Sequence, residues 1–491
     1  MSPDRMGLCV GEADTKHVSI IAKRMPEVGE YAVIEYDGHR VLAVVEEVTR
    51  GSATISEKLL SAETVERIVR IEGAGEQYIR ARLRLLGEVE SLGMVKLPPP
   101  PGAPVYRADP GTLRRIFSSG NIKLGTLLSH PEVEVYIDAN RMVTRHLAVL
   151  AITGAGKSNT VSVLIDGLLR LGGMPVVFDM HSEYAEAEFS GEVRVLKPKL
   201  NPRYMLYAEL RRLVNIDDKA YIQERYLREA HRHALSHGRG SMIDVMLAYL
   251  EEVYSGEELT ATEKNSVSGV MNKLQDFRER YGEILDEHAP EMVELLTPGA
   301  LNVVDLGEVD EDYADVIVSH LLRKLLLRRK RREVAPAFCI LEEAHILAPA
   351  HRSTLSKYWI DRIAREGRKF GIGLCLVSQR PKSLDPNSLS QANNAIIMRL
   401  VEPSDQRHVQ QASERLSDEL LAQLSSLNTG EAVVLGLMTR LPALVKVMKF
   451  RGKLAGGDPD VVAEWQQMAE KEREEGERLR REVDELYSGL D

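Results

Sequence analysis

The run Leu147-Ala148-Val149-Leu150-Ala151-Ile152-Thr153-Gly154-Ala155-Gly156-Lys157-Ser158 constrains this chain more than any other. Its first four residues read as a short buried strand, and Ser158 onward (Asn159, Thr160, Val161, Ser162, Val163, Leu164) reads as a helix. The turn between them holds two glycines and a lysine. Such a turn lets backbone N–H groups face inward around an anion, reinforced by the helix N-terminus. There Lys157 would reach the β- and γ-phosphates of a nucleotide, and Ser158 would ligate magnesium (Mg2+). Ala151 stands where the G-x-x-x-x-G-K pattern has its first glycine; the Gly154/Gly156 pair and the strand-to-helix context compensate.

Three further motifs belong with that turn. The apolar run Phe338-Cys339-Ile340-Leu341 ends in Glu342-Glu343-Ala344-His345. Alone, two acids after a strand are a solvated turn. Beside a phosphate loop, Glu342 takes the magnesium-side role and Glu343 orients or deprotonates the attacking water. Gly373-Leu374-Cys375-Leu376-Val377-Ser378-Gln379-Arg380-Pro381 is another strand ending in polar residues, and Gln379 is placed to sense the γ-phosphate. The stretch Asp361-Arg362-Ile363-Ala364-Arg365-Glu366-Gly367-Arg368-Lys369 is a basic helix end, which suits the helix dipole by itself. Multimeric ATPases also complete their sites with an arginine from a neighbouring subunit. Arg368 is the first candidate, Arg365 the second and Arg145 the third. No N-K-x-D guanine signature is present, which disfavours a GTPase.

Other signals are weaker. Asp179 and His181 follow an apolar run (175–178), at a strand end where open α/β sheets bind ligands. The basic run 328–332 closes an apolar helix and reads as a solvated end. His345 and His351 lack a third residue at metal-ligand spacing. Cys9, Cys339 and Cys375 form no CxxC pair, so neither a disulfide framework nor a zinc site is expected.

At 491 residues the chain exceeds one ordinary core. Residues 18–22, 31–36, 41–48 and 78–86 read as short strands, with a hairpin turn at Asp37-Gly38. Ile79, Ala81, Leu83 and Leu85 alternate with Arg80, Arg82 and Arg84. A proline run at 98–101 then ends regular structure, so 1–103 is expected to be a small β-barrel. Residues 104–457 alternate strands (147–152, 175–178, 301–304, 337–341, 373–377, 395–399) with helices. This predicts an α/β RecA-like P-loop ATPase core with a largely parallel sheet, interrupted by a helical insertion at about 204–288. After Gly456-Gly457-Asp458-Pro459, residues 458–491 read as a C-terminal helix, either solvated or strapping a neighbour. A net charge of −10 restricts any nucleic-acid surface to a local patch. No run approaches the roughly 18 apolar residues of a membrane span, and the N-terminus lacks a signal-peptide pattern, so no membrane and a cytoplasmic location are expected.

Together these motifs resemble the HerA-type DNA translocases, within the HerA–FtsK group of RecA-like hexameric motors. The resemblance rests on the run from Ile152 to Thr160, on Leu341-Glu342-Glu343-Ala344-His345, on the run from Arg362 to Lys369, and on Ser378-Gln379-Arg380-Pro381. It extends over nearly the whole chain, since such proteins also carry an N-terminal barrel, a helical insertion and a C-terminal helix. The resemblance implies ATP bound with Mg2+ by Thr153, Gly154, Ala155, Gly156, Lys157, Ser158, Asn159 and Thr160. It further implies a homohexamer threading double-stranded DNA, with a NurA-type nuclease at the barrel face, in end resection and recombinational repair. On topology, His351, Arg352, Lys357, Arg380 and Lys382 are expected to face the pore. Two alternatives stay open: a nucleotide-gated assembly platform for a partner enzyme, and a secretion- or conjugation-type motor.

Overall fold

In a computed structural model, residues 4–52, 54–55, 61–72, 77–237, 240–256, 259–282, 284–413, 416–453 and 461–488 are described. Six strands close the N-terminal barrel: β1 (Arg5–Val10), β2 (His17–Ala22), β3 (Tyr31–Tyr36), β4 (His39–Ser52), β5 (Gln77–Glu88) and β6 (Pro104–Arg107), in the order β1-β2-β5-β4-β3-β6. Alternation does what it predicts. Ala81, Leu83 and Leu85 are buried with Met6, Ile20, Ile34 and Val41, while Arg80 and Arg82 face outward. Asp37 and Gly38 both take positive φ in the β3–β4 turn, as a two-residue hairpin needs. The barrel runs past the expected boundary at 103. The proline run does not end the barrel, because β6 follows it and pairs antiparallel with both β1 and β3.

Beyond the barrel lies one sheet of eleven strands. β7 (Ile122–Leu127), β8 (Glu134–Ile137), β9 (Leu147–Leu150), β10 (Pro175–Asp179), β11 (Val193–Leu196), β12 (Leu301–Asp305), β13 (Ala337–Leu341), β14 (Ile372–Ser378), β15 (Asn394–Ile397), β16 (Glu431–Leu435) and β17 (Ala443–Val447) lie in the order β11-β12-β10-β13-β14-β9-β15-β16-β17-β7-β8. The run from β11 to β15 is parallel, and the last four strands are antiparallel. Both faces are buried: Leu147 and Val149 enter one core, Ala148 and Leu150 the other. That is why the parallel strands read as continuous apolar runs.

Between β11 and β12 the chain makes the helical insertion, with helices Tyr207–Leu213, Tyr221–Ser236, Met242–Ser255 and Ala261–Tyr281. Buried Glu209 meets His320 at 3.2 Å and Arg323 at 3.5 Å on the helix Glu311–Lys330, fixing the insertion to the core. The basic run at 328–332 is that helix's end, where Arg328 and Lys330 pair with Glu294 and Glu366. Val461–Ser488 is one helix, with Trp465 and Met468 exposed. The expected boundary at Gly456-Gly457-Asp458-Pro459 lies outside the described residues. All three cysteines are free and buried; burial pushes the Cys339 thiol up to about 12.

Candidate nucleotide site

The phosphate loop lies at the carboxyl edge of β9, between β14 and β15. Gly154 and Gly156 adopt φ of +77° and +102°, which side-chain-bearing residues rarely take. Ala151 has no positive φ, and its methyl is fully buried in the core, so the missing first glycine costs this turn nothing. Thr429 Oγ1 donates to Gly154 O at 3.2 Å and Gly430 N to Ala155 O at 2.8 Å, bracing the loop from the β16 side.

Parallel neighbours bring the other motifs to the same edge. Lys157 Nζ lies 3.2 Å from Glu342 Oε2 and 2.9 Å from Glu343 Oε1. Burial opposes the charged ammonium, yet the two carboxylates outweigh it and hold the Lys157 pKa above its usual value. Burial also raises the Glu342 carboxyl, and Lys157 offsets this only in part. Glu343 sits at φ +45°, a strained left-handed conformation for a side-chain-bearing residue. Its Oε2 is buried with no hydrogen-bond partner. His345 Nδ1 is 3.3 Å from that oxygen and 3.2 Å from Ser378 Oγ, and burial lowers its pKa despite the Glu343 charge. Thr153 Oγ1 donates to Gln379 Oε1 at 2.6 Å, so the loop and the end of β14 touch.

The donor set of hydroxyl and carboxylate oxygens suits magnesium, which prefers oxygen and keeps several waters. Among the described residues no three His, Cys, Asp or Glu side chains are grouped to hold a metal ion by themselves.

Two expected binding residues are engaged elsewhere. The Asn159 side chain donates to Met448 O (3.0 Å) and accepts from Phe450 N (2.8 Å), anchoring the segment after β17. Thr160 is buried, and both its N–H and its hydroxyl donate to Gly156 O. Lys157, Ser158 and Thr153 keep their side chains in the site. Two residues there escaped the sequence reading: Glu183, whose Oε2 accepts from Ser158 Oγ at 2.9 Å, and Tyr184, whose hydroxyl donates to Glu342 Oε1 at 2.7 Å.

The three arginine candidates stand at the opposite edge of the sheet. Arg145 ends the helix Ala139–Arg145 just before β9, Arg365 lies in the last turn of Leu355–Glu366, and Arg368 lies in the turn Gly367–Phe370 just before β14. His146 joins them. Its Nδ1 accepts from Leu374 N at 3.1 Å, so Nε2 carries the proton donated to Ala364 O at 3.0 Å. Burial lowers the His146 pKa to about 4, which keeps it neutral. Of the expected pore residues, Lys357 is paired with Asp385 at 2.8 Å, and Arg352 with Glu311 at 2.8 Å. His351, Arg380 and Lys382 are exposed.

Residues 6–91 match the HAS barrel domain and residues 122–325 the central domain of helicase HerA. A DNA double-strand break repair helicase HerA from Sulfurisphaera tokodaii is 40% identical, across 96% of this chain and 99% of the relative. The chain belongs to the HerA helicase family. HerA from Pyrococcus furiosus is 32% identical across 94% of this chain and 97% of its own. Among solved structures, VirB4 of Thermoanaerobacter pseudethanolicus shares the fold with a TM-score of 0.53 at 15% identity, over 68% of this chain and 98% of that one. The HerA membership makes the site that of an ATP-hydrolysing P-loop enzyme. No helix among the described residues is long and apolar enough to cross a membrane.

Proposed function

We propose that this HerA-family ATPase is a homohexameric translocase on double-stranded DNA. Bound with Mg2+, ATP would sit between the phosphate loop of one subunit and the arginine corner of the next. The observation that carries this reading is the position of Arg368. It precedes β14, while Gln379 and the phosphate loop lie past that strand's other end. Seven residues of strand span roughly 20 Å, so Arg368 cannot reach the nucleotide of its own subunit. It is free to reach a neighbour's. Within the site, Lys157 would hold the β- and γ-phosphates, Ser158 and Glu342 the magnesium side, and Glu343 the attacking water, with Gln379 reporting the γ-phosphate through Thr153.

The relatives are named as DNA double-strand break repair helicases, which supports work at broken DNA ends; the proposed place of that work is the cytoplasm. The barrel is the proposed seat of a NurA-type nuclease that resects those ends. The test is ATPase rate against the length and form of DNA, with and without the candidate nuclease. Hydrolysis stimulated by duplex DNA, and lost in Lys157→Ala, is the expected result. A nuclease fully activated by a non-hydrolysable analogue, with no movement along DNA, would instead favour an assembly platform.

A further inference from the structure

Asp179 ends β10 buried, and its carboxylate accepts from His181 N at 3.2 Å and Tyr184 N at 2.9 Å. Those two bonds turn the loop 180–184 back over the sheet edge. Tyr184 is fully buried and reaches Glu342, so packing fixes the loop, and Glu183 is carried to Ser158. A strand with no phosphate or acid-pair motif thus delivers a third carboxylate to the site.

We propose that Glu183 is a magnesium ligand, adjacent to Ser158 in the metal's coordination shell; the proposal rests on the ATPase reading. Geometry is the first support. Two neighbouring ligands of an octahedral magnesium, each about 2.1 Å from the metal, lie about 3.0 Å apart. Ser158 Oγ and Glu183 Oε2 are already 2.9 Å apart. Charge is the second. Glu183, Glu342 and Glu343 set three carboxylates against the single ammonium of Lys157, which engages only the latter two. Among the described residues Glu183 makes no salt bridge. A divalent cation beside Ser158 offsets that excess. The competing role is a parking one, in which Glu183 merely holds the Ser158 hydroxyl until nucleotide arrives.

Manganese binding separates the two. Free Mn2+ is followed by electron paramagnetic resonance at saturating ADP for wild type, Glu183→Gln and Glu183→Ala, and ADP affinity is measured by calorimetry in EDTA. Both variants should bind Mn2+ at least about tenfold more weakly, a loss of about 1.4 kcal/mol. Their metal-free ADP affinity, which also reports an intact fold, should be unchanged or tighter. Wild-type Mn2+ affinity in both variants overturns the proposal, and tighter metal-free ADP alongside it identifies the parking role. If wild type itself shows no Mn2+-dependent ADP binding, the ATPase reading fails and this one with it.

Discussion

Glu342 is only 4% exposed, and burial raises its pKa even with the Lys157 ammonium 3.2 Å away. A carboxyl whose folded pKa lies above its unfolded value binds more protons when folded, so stability falls as pH rises through that interval. Glu342→Gln should therefore raise the thermal midpoint of the nucleotide-free protein at neutral pH. The gain should vanish once pH drops below the ordinary carboxyl value of 4.5, where Glu342 is protonated in both states. Thermal unfolding across pH checks this, and equal midpoints at neutral pH would count against it. Lys157→Ala acts in the opposite sense, because it leaves two buried carboxylates facing each other. It should cost roughly 3 kcal/mol of stability and about 10²-fold or more in hydrolysis, read from denaturation and steady-state ATPase assays. Lys157, Glu342, Glu343 and Gln379 were legible because each ends an apolar run or its glycine turn. Glu183 and Tyr184 were not. Asp179 and His181 mark this strand end, but Glu183 and Tyr184 follow them with no motif of their own, and only the parallel pairing of β10 with β13 sets Tyr184 against Glu342.

Among elements, legibility followed burial on both faces. β9, β10, β12, β13, β14 and β15 stood out as apolar runs, whereas β11 is an edge strand with two of its four residues exposed, and β6 is a four-residue strand beginning at a proline. β7 alternates only until Gly125, whose role needs three dimensions: a Cβ there would lie 2.0 Å from Lys446 O on β17. Backbone cannot yield as a side-chain tip can, so Gly125→Ala should destabilise the fold by about 2–3 kcal/mol, measurable by denaturant unfolding. The corner around His146 yields a functional prediction. Arg368→Ala should assemble and bind ATP but not hydrolyse it, and mixing it with inactive Glu343→Gln should restore part of the ATPase rate. Mixed rings then contain sites with an intact Glu343 facing an intact Arg368. Normal hydrolysis by Arg368→Ala alone would remove that residue from the site and leave Arg145 or Arg365, which share its corner.

Across the whole molecule, a net charge of −10 has to be reconciled with a polyanionic track. A uniformly acidic surface repels DNA, so binding must be confined to loops whose basic groups are not already neutralised within the subunit. Arg328, Lys330, Arg352 and Lys357 are paired with Glu294, Glu366, Glu311 and Asp385. Arg380 and Lys382 are exposed just past β14, beside Gln379, and among the described residues neither forms a salt bridge. They are therefore the better-placed cations to meet phosphate, and they adjoin Gln379, the proposed γ-phosphate sensor. Binding to backbone phosphates releases counterions, so the DNA concentration giving half-maximal ATPase stimulation should rise steeply with salt while ignoring base sequence. Arg380→Ala with Lys382→Ala should flatten that log–log slope by about one unit for each phosphate no longer neutralised. The DNA-independent ATPase rate measured at the same salt concentrations separates this effect from any on nucleotide binding. An unchanged slope in the double variant would move the DNA path to other loops, while strong dependence on base composition would argue against translocation on the phosphate backbone altogether.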